Sequence, residues 1–363
     1  MLQPNSVHSF RQRVAHFILK ANLYLSWVLG IFPFTFDSRK RRLHISKWLL
    51  AYGVILHLCL VLLLYLPTSD NPNFMNGDLF EPNPLVRQLD FILRSISRTG
   101  ISVTHLRTFW KCKELVEALN ELLMLEHHHF RELILRDCPQ LDWFVIFKGI
   151  SPLVVTMYSL VICCGILDNN KTVHEGFCVS VGILAVLMVI MHFHLLMIYI
   201  YRLVWIINGQ LLDMVTRLRR GESVDTELVK RLLFLYGRVS DLNTRLTRVY
   251  DIQNTFILFS LMPQAVVMNL CDLWLTIACC DLPERACEKT SRILKLFNDI
   301  EGMDKELERR ISEFTLFCCH RRLKICQLGM FDINYEIGFR IFITNILYVL
   351  YLVQFDYMNL HFK

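Results

Sequence analysis

Long apolar blocks alternate with compact charged ones along this chain. A membrane-crossing helix needs roughly 20 predominantly apolar residues. Five blocks meet that length: 45–66, 141–167, 177–201, 254–280 and 333–355. A weaker sixth covers 84–106, where Asp90, Arg94 and Arg98 recur at steps of four. Those three share one helical face, so the segment crosses only with that face turned to protein or water. The alternative is an amphipathic surface helix. The pattern therefore predicts an all-α, polytopic membrane bundle of six spans.

Loop charges orient the spans, because cytoplasmic loops carry the excess of Lys and Arg. Arg39-Lys40-Arg41-Arg42 stand just before the first span, which puts the N-terminus inside. The loop 67–83 has no Lys or Arg and carries Asp70, Asp78 and Glu81, so it lies outside. Loops 107–140 and 208–251 are basic and lie inside. The short loop expected over 168–176 lies outside and holds the sequon Asn170-Lys171-Thr172, a candidate glycosylation site.

At 254–280 the counting fails. The loops on both sides of it are basic, with Arg285, Lys289, Arg292, Arg309, Arg310, Arg321 and Arg322 on the far side. Two cytoplasmic flanks require an even number of crossings. Twenty-seven residues make about 40 Å of helix at ~1.5 Å per residue, which is one crossing and not a hairpin. Either the rule is overridden, or the segment is re-entrant, or a span is absent. A further ambiguity is 14–36, apolar but broken by Lys20, Asn22 and Ser26. As a span it would move the N-terminus outside, as in a G-protein-coupled receptor; its polar breaks favour an interfacial or buried cytoplasmic helix.

Composition agrees with a membrane protein. The 363 residues are 54% hydrophobic and 20% charged, against about 25% charged in a soluble chain. A net charge of +6 is modest and spread out, which argues against nucleic acid as a partner and suits basic inner loops. The 13 cysteines fall mostly in or beside apolar runs, without zinc spacing, so neither a metal nor a disulfide framework is expected. Arg11 and Arg13, with no small-residue cleavage site, do not read as a signal peptide.

Candidate chemistry is sparse. Lys148 and Asp272 are the ionisable groups deepest in the apolar blocks, and charge at that depth must face protein or a cavity. Lys148 could instead snorkel to the inner surface, and Asp272 could mark a lost span boundary. His127-His128-His129 point in different directions on a helix and read as a solvated face. His192 and His194, two apart, face opposite sides; polar packing competes with a transporter's proton relay. Trp143, Trp205 and Trp274 suit interface anchors. No Walker loop, G-x-S-x-G or H-E-x-x-H is present, so no enzyme and no cofactor is expected.

The last span is the most informative segment. Leu347, Leu350, Tyr351 and Gln354 share a stripe by three- and four-residue steps. A lone amide in lipid is costly unless a neighbouring helix or water satisfies it, which suits a pore lining or an oligomer seam. Tyr348, five apolar residues, Gln354 and Phe355 resemble the C-terminal signature of insect gustatory receptors, with Leu347 where that family has Thr. Arg309-Arg310-Ile311, then His320-Arg321-Arg322 and Gly329-Met330-Phe331-Asp332, are similar to the family's approach to that span, and Phe36-Asp37 to its N-terminal part.

The resemblance implies a tetrameric ligand-gated cation channel of chemosensory neurons, homo- or heteromeric, with small-molecule tastants as ligands and the bilayer as surroundings. It implies four regions: a cytoplasmic arm 1–44, a bundle 45–280 with cytoplasmic helical extensions, a basic anchor helix within 281–332, and a pore-lining span with a short outer tail, 333–363. Gln354 would line the outer pore and Tyr351 the gate. Val349 stands where sugar receptors carry an acid, which disfavours that branch. A tastant pocket is expected among spans two to four near the outer face, with Tyr158 and Phe177 as candidates. Residues 252–262 resemble the start of the family's fifth helix and 274–297 the end of its sixth, so about one span's worth of core is expected to be absent, through divergence or an incomplete gene model. A secondary transporter using Lys148 and His192, or a truncated non-conducting subunit, are the competing readings.

Overall fold

The apolar blocks fold as helices, the one unpaired structure that satisfies its own backbone groups away from water. The computed structural model describes residues 10–37, 39, 41–65, 84–130, 133, 138, 140–166, 170–261, 266–329 and 331–361. In chain order these form α1 (Phe10–Val28), α2 (Lys47–Tyr65), α3 (Pro84–Trp110), α4 (Cys112–Leu125), α5 (Leu141–Ile166), α6 (Asn170–Arg219), α7 (Thr226–Leu261), α8 (Val266–Lys295), α9 (Lys305–His320) and α10 (Tyr335–His361). Two short antiparallel ladders lead into α2 and α10: β1 (Phe34–Asp37) with β2 (Arg42–Ile45), and β3 (Cys326–Gln327) with β4 (Phe331–Asp332).

Helix α6 is the spine. Its 50 residues make ~75 Å of helix, more than twice the ~30 Å hydrocarbon thickness. Met188, Met191, Phe193, Met197, Ile200, Leu203, Val204 and Ile207 are wholly buried, with α5, α7 and α8 packed around them. Outer helices show the reverse, with Ile55 and Leu58 of α2, Met157 and Val161 of α5, and Leu347 and Leu350 of α10 exposed. Patches of this extent are a liability in water and an ordinary surface in lipid. Among the described residues, Leu141–Tyr158 and Ser180–Arg219 are long and apolar enough to cross a membrane; Lys47–Leu62 is apolar but shorter.

Two expectations need correction. The stretch 254–280 is not one span: α7 ends at Leu261 and α8 begins at Val266, and both pack on α6 and on α9. The Tyr236 hydroxyl donates to Cys287 Sγ at 2.9 Å, which aligns the far ends of the two helices. From that level, ~38 Å of α7 and ~32 Å of α8 lead to their junction, so the pair runs out and back. Pro263 lies between them, and helices usually end before the residue preceding a proline. Their apolar parts, 254–261 and 266–280, amount to ~12 and ~22 Å, each short of the hydrocarbon thickness. Both basic flanks thus stay on one side.

The second correction is that the outer loop expected over 168–176 is helical from Asn170 onward, so the sequon opens α6. Residues 208–251, where cytoplasmic helical extensions are expected, are mostly helix, turning at Gly221 with φ +75°. The weak span 84–106 lies within α3; Arg98 is exposed, while the side chains of Asp90 and Arg94 lie outside the described set.

Helix α1 explains the ambiguous 14–36. Its polar residues Asn22 and Ser26 are buried while Phe17, Leu23, Tyr24 and Val28 are exposed. Asn22 Nδ2 donates to the Gly149 carbonyl at 3.0 Å, and Ser26 Oγ meets His192 Nε2 at 2.7 Å. Arg11 pairs with Asp142 at 3.0 Å. The helix lies along the first half of α5, polar side in.

Below the lipid-facing half, α7, α8 and α9 form a conventional core. Leu307, Ile311, Phe314 and Cys318 recur at helical spacing on α9 and are buried. Phe314 meets the Tyr236 ring edge-on at 5.5 Å. Burial pushes the Cys318 thiol up to about 12, whereas Cys319 is exposed. A thiol-reactive label on the folded protein is therefore expected to modify Cys319 and spare Cys318. Phe314→Ala should cost ~3–5 kcal/mol, read as a lower unfolding midpoint in detergent, and should open Cys318 to labelling.

Candidate functional site

Two lone charges in the sequence meet in the structure. Lys148 Nζ of α5 lies 2.7 Å from Asp272 Oδ1 and 3.1 Å from Thr276 Oγ1, both on one face of α8. Lys148 is 2% exposed and Asp272 19%. Two ions taken from water are tolerated when they pair and their remaining polar atoms are satisfied, and Thr276 supplies part of that. Lys148 therefore does not snorkel, and Asp272 is no mere boundary marker. Their matching status, one unpaired cation and one unpaired anion in separate spans, was the signal available in sequence.

Asp272 opens on a cavity of about 920 Å³ between α5, α8 and α10, lined by Phe144, Phe147, Ile150, Trp274, Tyr335 and Phe342 among others. That is near the upper end of the ~300–1,000 Å³ typical of small-molecule sites. The start of α10 is tightly held here. A Cβ at Gly338 would stand 2.4 Å from Ile277 Cδ1, and Arg285 lies 4.6 Å from the Tyr335 ring centre. Tyr158, half-buried further along α5, does not line this cavity, and the side chain of Phe177 lies outside the described set.

Beyond that contact many of the described side chains of α10 are exposed. Leu347 is 61% exposed and Tyr351 58%, with Tyr348, Leu350 and Gln354 exposed as well. Exposure extends around the helix to Phe339, Ile343 and Ile346, so one subunit does not set the stripe apart from a lipid-facing side. Phe355 lies on the same helix, its side chain outside the described set. With 27 residues, ~40 Å, the helix is long enough to cross.

The histidines divide. His192 bonds Ser26 on α1, while His194 is buried on another side, as their spacing required. His127 meets Arg41 (Nη1 to Nδ1, 2.8 Å), and the His129 carbonyl accepts from Arg231 at 3.2 Å. Sequence reading passed over His57 and His105, which meet each other inside the bundle, with His57 Nε2 on the Leu29 carbonyl at 2.8 Å. Neither stands in a motif; only the packing of α2 on α3 joins them. Trp205 lies under Lys289 at 4.1 Å, Trp143 stacks on Phe147 at 5.5 Å, and Trp274 packs edge-on against Tyr335 at 5.1 Å.

The family model described as "7tm Chemosensory receptor" matches residues 19–268 and 258–359. The chain belongs to that family. Among curated relatives, the putative gustatory receptor 22a of Drosophila melanogaster is 52% identical over all of both chains. The gustatory receptor for bitter taste 22e of the same fly is 39% identical, covering 99% of this chain and 100% of that one. The insect olfactory receptor OR5 from Machilis hrabei shares the fold, with a TM-score of 0.65 at 12% identity over 95% of this chain and 99% of that chain. A second structure of OR5, in complex with eugenol, has a TM-score of 0.61. This chemosensory receptor aligns with 22a over 392 positions but has 363 residues, so at least 29 positions have no counterpart in it. The two family matches overlap at 258–268, at the junction of the shortened α7 and α8.

The ion pair gives a direct test. Lys148→Met or Asp272→Asn alone leaves a buried ion without its counter-charge and should cost ~3–5 kcal/mol. The double variant Lys148→Met/Asp272→Leu should recover most of that. Surface expression and detergent melting temperature report both, and a double-variant loss equal to the sum of the two single losses would mean the two charges are not coupled.

Proposed function

We propose that this chemosensory receptor is a subunit of a ligand-gated, non-selective cation channel detecting small-molecule tastants at the plasma membrane of chemosensory neurons. The observation that carries this reading is the exposed described face of α10. An apolar helix long enough to cross, bearing Gln354 and exposed on its described sides within one chain, calls for partners from other subunits. Four copies around an axis would turn Leu347, Tyr351 and Gln354 into stacked rings. A ring of leucine and tyrosine side chains closes a pore by dewetting and opens when the helices splay.

The ligand would act through the α5–α8–α10 region, where the tight Gly338–Ile277 contact ties the inner end of α10 to α8. Relative 22e is described as a receptor for bitter taste; a bitter, largely apolar molecule fits the apolar character of the cavity beside Asp272. A non-conducting subunit is the second reading, favoured by the half-depth α7 and α8 and by the 29 or more absent positions. An insertion restoring those positions at the α7–α8 junction would separate the two.

Whole-cell current from the expressed chain, alone and with other receptor subunits, tests the proposal. Under a panel of bitter compounds, Gln354→Ala should change ion selectivity or block while leaving surface expression intact. Unchanged selectivity and block in a conducting variant would remove Gln354 from the pore. Surface protein that never conducts in any pairing would favour the second reading.

A further inference from the structure

We propose that the basic end of the bundle holds a site for the polyphosphorylated headgroup of an inner-leaflet lipid. A second cavity, of about 290 Å³, lies where the β1–β2 hairpin meets α6 and the irregular turn Glu126–Phe130 after α4. Its walls include Phe36, Arg41, Glu126, His127, Phe130 and Arg202. The size is close to the lower limit of small-molecule sites, ~300 Å³. Two guanidinium groups face the cavity and one carboxylate answers them: Arg202 Nη1 lies 2.9 Å from Glu126 Oε1, while Arg41 meets the His127 ring. The excess is positive, and planar guanidinium forks suit phosphate oxygens.

The position selects a lipid. Arg202 lies 5.4 Å from the Tyr199 ring centre and Lys289 4.1 Å from that of Trp205, which marks the aromatic and basic level where a bundle leaves the membrane. Arg39, Lys40, Arg41 and Arg42 stand immediately before α2. Basic clusters directly cytoplasmic of a span attract anionic lipid. Phe36 and Phe130 give the cavity an apolar side for the glycerol end of such a molecule.

Two details mark the site as built. Arg41 has φ +50°, a left-handed conformation that favours Gly or Asn and is uncommon for arginine. Residues held in that region against preference gather at functional sites. The carbonyl end of α4 would by itself repel an anion, but Arg231 Nη2 donates to the His129 carbonyl and offsets it. A bound headgroup would join hairpin, α4 and α6, clamping the N-terminal arm to the spine.

The test uses the full chain, purified in detergent, with bound lipid counted by native mass spectrometry. Probes are phosphatidylinositol bisphosphate, phosphatidylserine and soluble inositol trisphosphate. The bisphosphate lipid should bind in preference to phosphatidylserine. Arg41→Gln and Arg202→Gln should each weaken it about fivefold, the effect of ~1 kcal/mol per basic residue. Arg219→Gln, exposed at the end of α6, should change little. Glu126→Gln should strengthen binding, a gain that misfolding cannot mimic. The proposal fails if Arg41→Gln and Arg202→Gln lose no more than Arg219→Gln, or if phosphatidylserine binds equally. Inositol trisphosphate binding as tightly as the lipid would assign the site to a soluble ligand and overturn the lipid source.

Discussion

One constraint organises this receptor: α6 is too long for the membrane. Its apolar middle must be surrounded, and its far end must leave lipid still attached to the same rigid rod. Helices α5, α7 and α8 are placed by that fact. Upper α5 and α8 complete the lipid-embedded part around Met188 to Met197, while α7 and lower α8 continue the packing below it, where α9 fills the remaining side. The two halves therefore share one core without a linker between them. A displacement at the membrane level has a direct mechanical path to the aqueous end.

The polar groups inside follow from the same arrangement. Lys148 and Asp272 sit where α5 and α8 both lean on α6, and each is tolerable only because the other is there. Asn22, Ser26 and His192 solve the equivalent problem for α1 through hydrogen bonds to the Gly149 carbonyl and between Ser26 and the ring. These contacts make α1 part of the bundle instead of a surface appendage. Helix α10 differs: α8 is the one helix it packs on extensively, and many of its described side chains beyond Gly338 are exposed. Its exposed described face is available to meet another copy.

Much of this was legible in sequence because lipid imposes a simple rule, that spans are long and apolar. The blocks at 45–66, 141–167, 177–201 and 333–355 all lie largely within helices, though α6 begins seven residues before its block and runs on to Arg219. Charge counting marked 254–280 as at odds with an ordinary span, with an overridden rule still open, yet hydropathy alone does not distinguish one 27-residue helix from the facing ends of two. Pro263 carried that information. Long-range pairing was not legible. Nothing local links Lys148 to Asp272, His57 to His105, or Arg41 to His127, because each depends on which helices become neighbours. The stripe on α10 is the opposite case: the pattern at Leu347, Leu350, Tyr351 and Gln354 is clear in sequence, and a single chain leaves it exposed among other exposed positions.

The account turns on α10 helices of separate copies facing one another across an axis. Disulfide cross-linking in native membranes tests this most directly, with Leu347→Cys and Tyr351→Cys compared against wild type and against Phe339→Cys near the inner end of the helix. Covalent dimers formed under mild oxidation at 347 and 351, and not in wild type or at 339, are the expected result. Surface-expressed variants that stay monomeric at both stripe positions would contradict it.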